Sequence, residues 1–234
     1  EAQEDLIIES LEQQHLFDTR ATFYPTVNTI SISPSNPNIM LIGTSGKGIL
    51  RSTNGGASWS STTFGAHTLF SSLLDPTNQK AYMGTGYPNA LARTIDPTLY
   101  DWVLSNSGIQ YQKVVSLLFS NSGSNVIFAG TIDDPFADTN EVTAVFKSTD
   151  YGTSWSRIGL VDFQVTSLLN FPLNPNRILA GTSDGLFISK DEGISWTLYN
   201  GSIWNQTTSC LSPGSGDNLI LMGTDGGNLM LIKR

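Results

Sequence analysis

Short apolar runs recur along the chain, each bounded by turn residues. Five of them end in Gly-Thr: NIMLIGT, KAYMGT, NVIFAGT, RILAGT and NLILMGT, closing at Gly43-Thr44, Gly84-Thr85, Gly130-Thr131, Gly181-Thr182 and Gly223-Thr224. A second strand-like run precedes each one: NTISIS, LFSSLL, KVVSLLF, VTSLLNF and TTSCLS. Between the two lie SPSNPN, DPTNQ, SNSGSN, PLNPN and SPGSGDN. Pro presets φ, and Asn and Gly tolerate positive φ, so these stretches predict turns. A third run follows the Gly-Thr, as in GILRS, TAVFKS and GLFIS. The pattern predicts a β-meander repeated five times, at spacings of 41, 46, 51 and 42 residues.

After the third run comes a sharper motif. It reads Ser52-x-Asn54-x-Gly56-x-x-Trp59, then Ser148-x-Asp150-x-Gly152-x-x-Trp155, then Ser189-x-Asp191-x-Gly193-x-x-Trp196. A worn copy runs from Arg93 through Asp96 to Trp102, without the Gly. The pattern suits a hairpin turn. The Asp or Asn accepts from turn N–H groups, the Gly takes positive φ, and the Trp packs as a fourth strand begins. These twelve intact-motif residues are expected to be turn staples and core, not catalysts.

The motif resembles the Asp-box, or BNR repeat, of sialidases, xyloglucanases, sortilin-type receptors and photosystem assembly-factor-like proteins. The resemblance covers residues 24–234. It implies an all-β fold in which each repeat is one four-stranded antiparallel blade of a β-propeller. It also implies an extracytoplasmic setting: secreted, periplasmic or at the cell surface. A blade uses about 40–45 residues, so the chain accommodates five. The last repeat stops after its third run, NLMLIKR, and HLFDTRATFYP (15–25) has strand character. That segment is expected to supply the missing outer strand and close the ring. The expected organisation is residues 1–14 as an acidic segment and 15–234 as one five-bladed propeller.

Composition narrows the chemistry. Charged residues are 14% of the 234, and the single cysteine, Cys210, allows no intrachain disulfide and no cysteine zinc cluster. Cys210 falls on a first run and is expected to be buried. The net charge is −8. Residues 1–14 carry Glu1, Glu4, Asp5, Glu9 and Glu12 with no base, so most of the charge sits there. Two readings of that segment stand: a frayed leader, or a short amphipathic helix that docks a protein partner. The acidic balance argues against nucleic acid, and no apolar run is long enough for membrane insertion.

A sialidase would need arginines on the inner strands. The six here, Arg20, Arg51, Arg93, Arg157, Arg177 and Arg234, do not fall there. A glycosidase needs two facing carboxylates. The first runs instead carry Thr29, Ser72, Ser116, Thr166, Ser167, Thr208 and Ser209. A hydrolase would have to use loop carboxylates: Asp133, Asp134, Asp138 and Glu141, with Asp162, Asp184 and Asp225. His15 and His67 are too few for a multi-histidine metal site. No cofactor or metal is expected, although the acidic 131–141 loop leaves calcium open. Asn200 and Asn205 begin two glycosylation sequons.

Ring side chains recur a few residues before each first run: Tyr24, His67, Tyr111, Phe163 and Trp204. Tyr87 and Phe136 follow Gly-Thr pairs and belong to loops opening on the same end. Aromatics on a concave rim offer flat apolar area at low entropy cost. These seven are the candidate ligand-binding residues, for a glycan, peptide or protein. The expected function is a non-catalytic binding or scaffold module. An accessory subunit or assembly factor of a membrane-associated complex, and a glycan-active hydrolase, are the alternatives.

Overall fold

The computed structural model describes residues 26–65, 67–76, 80–94, 101–121, 123–137, 142–171, 173–199, 206–214 and 219–233. The acidic segment 1–14, the strand-like 15–25, Tyr24, Trp204, Asp96, Asp138, Glu141 and both sequon asparagines lie outside them. Among the described residues every regular element is a β-strand. The chain divides into two compact units, residues 1–86 with 92–104, and residues 87–91 with 105–234.

The first unit carries two antiparallel meanders. One is β1 (Val27–Ile32), β2 (Met40–Thr44), β3 (Ile49–Ser52) and β4 (Ser60–Ser61). The other is β5 (Leu69–Leu74), β6 (Ala81–Thr85), β7 (Leu91–Thr94) and β8 (Val103–Leu104), whose β6–β7 loop belongs to the second unit. The strands flanking the worn motif pair, with Arg93 opposite Val103. Leu41 and Ile49 of the first sheet meet Leu69, Leu74 and Met83 of the second, and Trp102 packs against that cluster. Strands β2 and β6 are buried at every position. Sheets covered on both faces need continuous apolar runs rather than alternation, which is why MLIGT and AYMGT read as they do.

The second unit repeats the plan three times. Its sheets are β9 (Lys113–Ser120), β10 (Gly123–Ile132), β11 (Val145–Ser148) and β12 (Ser156–Gly159); then β13 (Val165–Phe171), β14 (Asn174–Thr182), β15 (Gly185–Ser189) and β16 (Thr197–Leu198); then β17 (Thr208–Pro213), β18 (Leu219–Thr224) and β19 (Leu229–Lys233). The last has three strands among the described residues. Apolar layers fill the space between neighbours: Phe128 and Val145 against Val165, Leu168 and Ile178, and Leu169, Leu179 and Leu186 against Ile220 and Met222. Each fully buried side chain of this kind contributes about 1.5–3 kcal/mol. The expected turns SNSGSN and PLNPN are shorter than the sequence suggests. Strands β10 and β14 begin inside them, and the irregular pairing this requires falls between Gly123 and Ile127 and between Asn170 and Phe171.

The Gly-Thr pairs have a packing cause. A Cβ on Gly43 would lie 2.6 Å from Leu69 Cβ of the next sheet. One on Gly130 would lie 2.8 Å from Val165 Cγ1, and one on Gly181 2.6 Å from Thr208 Cγ2. The glycine lets the first strand of the following repeat lie directly on the second strand of its own. Overpacking such a contact costs about 1–3 kcal/mol. The threonine closes the turn that follows. Thr44 Oγ1 donates to Gly48 O (2.9 Å), Thr182 Oγ1 to Gly185 O (2.9 Å), and Thr131 Oγ1 accepts from Ala144 N (3.0 Å).

First strands are joined by their hydroxyls. Ser72 Oγ lies 2.6 Å from Thr29 Oγ1 and 2.5 Å from Ser31 Oγ. In the other unit Ser116 Oγ accepts from Leu168 N (2.9 Å), and Thr166 Oγ1 donates to Thr208 O. The hydroxyls of Thr29, Ser72, Ser116 and Thr166 thus join neighbouring repeats within each unit. Cys210 departs from expectation, because its side chain is exposed. Strand β17 bulges between Thr208 and Cys210, and Cys210 lies over Gly223, where a Cβ would meet Sγ at 2.7 Å.

Candidate functional site

In a meander the β3–β4-type turns and the β2–β3-type loops lie at opposite ends of each sheet. The first kind is closed. Ser148 Oγ donates to Asp150 Oδ1 (2.8 Å) and accepts from Gly152 N (2.8 Å). Asp150 Oδ1 also accepts from Thr153 N (3.0 Å) and Ser154 N (2.9 Å), and Oδ2 from Ser154 Oγ (2.6 Å). Ser189, Asp191, Gly193 and Ser195 repeat this network, and Ser52, Asn54, Gly56 and Ser58 form its neutral counterpart. The three glycines have φ of 89°, 72° and 86°. Trp59 and Trp196 donate from Nε1 to the motif glycine's carbonyl, at 3.0 and 3.1 Å. Trp155 donates instead to Ser105 Oγ (3.3 Å). Burial pushes the Asp150 carboxyl up, but the hydrogen bonds from Ser154, Ser148 and Thr153 outweigh it and hold the pKa at about 2. The Asp191 carboxyl is also held at about 2, by bonds from Ser195 and Ser189. Groups engaged in this way hold a turn.

The loop end of the second unit is different. Tyr87 lies on the β6–β7 loop, Tyr111 just before β9, and Phe136 on the β10–β11 loop. All three are exposed, Phe136 at 81%. The Tyr87 and Tyr111 rings are 6.0 Å apart at 31°. Asp134 ties two of the segments together: Oδ2 accepts from Tyr87 N (2.7 Å) and Oδ1 from Phe136 N (3.1 Å). Asp133 Oδ2 accepts from Gln164 Nε2 (3.3 Å). A cavity of about 220 Å³ opens here, lined by Tyr111, Gln112, Ile132, Asp133, Asp134, Ala137 and Thr143. Tyr111 takes φ of 62°, a left-handed conformation that side chains adopt at a cost.

The remaining candidates lie elsewhere. His67 is half-buried in the first unit, its ring 4.8 Å from Phe64. Phe163 is half-buried and packs edge-on to Phe187 (5.0 Å) against the core of the second unit. Asp162 and Asp184 are engaged through their own backbone N–H groups with Thr143 and Thr182, and Asp225 accepts from Ser209. Among the described residues no three His, Cys, Asp or Glu converge as a metal site, and no helix is long and apolar enough to cross a membrane. Sequence reasoning missed Gln112 and Thr143. Each is at most 4% exposed yet lines the cavity. Nothing in a Gln or Thr beside a strand signals that.

No protein-family model and no curated protein matches the chain. Solved structures do. The GH74 xyloglucanase from Xanthomonas campestris superposes with a TM-score of 0.68 at 16% identity, over 86% of this chain and 36% of that one. The extracellular domain of a one-component system from B. thetaiotaomicron gives 0.68 at 18%, over 92% and 28%. YCF48 from Cyanidioschyzon merolae gives 0.60 at 15%, over 90% and 67%. All are β-propellers, and the likeness gives this chain the same fold. The chain spans about a third of the length of the xyloglucanase it matches.

Proposed function

We propose that the chain is a five-bladed propeller acting as a non-catalytic binding module, with Tyr87, Tyr111 and Phe136 as the contact residues of its loop end. The observation that carries this reading is an exposed aromatic pair beside a polar cavity, on loops joined by Asp134. Aromatic anchors beside convergent polar groups are what ligand sites are made of. The ligand is a protein, peptide or glycan. A hydrolase is the weaker reading, since Asp133 and Asp134 are chain neighbours on one loop rather than carboxylates facing each other across a bond. The accessory-subunit reading rests on the likeness to YCF48, and the extracytoplasmic setting on the likeness to an extracellular domain.

Wild type and the Tyr111→Ala and Phe136→Ala variants should be compared on a glycan array and in affinity capture from the native source. Ligand found by the wild type should bind each variant at least about tenfold more weakly, as for an interface anchor. Equal binding by both variants would refute the site.

The five-bladed ring closes, in this reading, by residues 15–25 pairing with β19. Its support is a last sheet of three described strands, with Leu229 and Leu231 on β19 74% and 59% exposed. Deleting residues 1–25 should then destabilise the protein and promote edge-to-edge association. An unchanged, monomeric melt would refute closure.

A further inference from the structure

The chemistry of the cavity narrows the ligand. This step rests on the loop end being a binding site. At about 220 Å³ the cavity falls short of the roughly 300–1,000 Å³ of small-molecule sites. It has room for one side-chain headgroup, not for an oligosaccharide. Among the described residues its lining contains two carboxylates and no Lys or Arg. An anion would meet like charge on entry and find no cationic partner.

The floor is more informative than the rim. Gln112 is 3% exposed and Thr143 is 4% exposed, and both line the cavity. Both are polar side chains lining the cavity, so a ligand that enters meets them. Gln112 Oε1, Thr143 Oγ1 and the Asp133 carboxylate offer acceptors there, and the Gln112 amide and Thr143 hydroxyl can also donate. Asp134 is already occupied by Tyr87 N and Phe136 N, whereas Asp133 has a single long contact from Gln164. The wall is Tyr111, with Tyr87 beyond it.

We infer that this pocket takes a guanidinium group, an arginine side chain presented by a partner protein. Guanidinium is a flat cation with five donors and no acceptor. It stacks on tyrosine faces and pairs with carboxylates. Amide and hydroxyl oxygens on the floor, a carboxylate with one long contact and an aromatic wall complement those properties. A neutral sugar ring gains nothing from the carboxylate's charge.

The test uses the full chain and two short capped peptides, Ala-Arg-Ala and its citrulline counterpart, which keeps the shape and loses the charge. Binding is followed by NMR titration. The arginine peptide should bind at least about tenfold more tightly than the citrulline peptide, and its affinity should fall with added salt. Asp133→Asn, a change at an exposed position, should leave the melting temperature unchanged and weaken the arginine peptide several-fold. Equal binding of the two peptides, or an Asp133→Asn variant that binds arginine as well as wild type, overturns the inference. So does an absence of binding by either peptide. In each case the site itself survives if a ligand found on the array or by capture is still lost in Tyr111→Ala, and falls with the inference if it is not.

Discussion

At the β11–β12 turn Asp150 accepts four hydrogen bonds from three residues of its own turn. At the opposite end of the same sheet, Asp134 accepts from Phe136 on its own loop and from Tyr87, 47 residues away. Its neighbour Asp133 has one long contact. The residue type is the same, but the use is opposite. Where every acceptor is filled locally, the carboxylate stiffens a hairpin and its pKa drops to about 2. Where the acceptors tie separate loops together or stay open, the carboxylates organise a concave surface. The motif turns recur nearly unchanged in three repeats, while the loop end is built from three different sequences. A repeat protein can vary one end freely because the other end, with the apolar layers between sheets, supplies the stability.

The largest effect expected from that contrast comes from Trp155. It is 4% exposed, its Nε1 reaches Ser105, and its backbone N donates to Ser107 O (2.9 Å). It therefore holds the segment that leads into Tyr111. Trp155→Ala should cost about 3–5 kcal/mol, measured by chemical denaturation. A loss below about 1 kcal/mol would mean that the turn is not a structural anchor.

A smaller effect concerns charge. Asn54 runs the same network without it: Oδ1 accepts from Ser52 Oγ (2.9 Å) and Ser58 N (2.8 Å), and Nδ2 donates to Ser58 Oγ (2.8 Å). Asp150→Asn should therefore cost under about 1 kcal/mol at neutral pH. Acid separates the two. Asp150 and Asp191 have folded pKa values of about 2, below the unfolded value near 3.8. Their contribution is present above the unfolded pKa and is lost as pH falls from about 4 toward 2. The Asp150→Asn, Asp191→Asn double variant should lose melting temperature less steeply than wild type across that window. Parallel curves would show that the carboxylates are not held by their turns.

Much of this was legible in the residues. Five Gly-Thr pairs and three intact motifs marked five sheets, because both are demanded by backbone geometry that repeats. The reason for the Gly was not legible, since it lies in the following repeat: Leu69, Val165 and Thr208 set the clearance. The residue before each motif glycine was also hidden. It is left-handed in all three turns, filled by Gly55 (φ 69°), Tyr151 (φ 59°) and Glu192 (φ 56°), and only the first announces itself. Tyr87, Tyr111 and Phe136 could be placed on one end from loop order alone. That His67 sits against Phe64 and Phe163 against Phe187 is a matter of side-chain packing, which spacing does not record. Cys210 was expected to be buried because it falls on a first run, and its side chain is exposed.

The smallest stability effect is expected at Tyr111, and it bears most directly on the contrast. Its φ of 62° is unfavourable for a residue with a Cβ. Tyr111→Gly relieves that strain but frees the unfolded chain by about 0.5–1 kcal/mol and removes what packing an exposed ring has. The terms offset, so stability should change by no more than about 0.5 kcal/mol in either direction. Ligand binding should fall at the same time, because the cavity wall is gone. Tyr111→Asn, with a side chain that tolerates left-handed backbone, separates ring from strain: its stability should match the Gly variant while binding stays lost. A substitution that silences binding and leaves the melt untouched is the signature of a residue held for its ligand. If either variant instead unfolded the protein as Trp155→Ala is expected to, Tyr111 would be part of the scaffold, and the distinction between the two ends of the sheet would collapse.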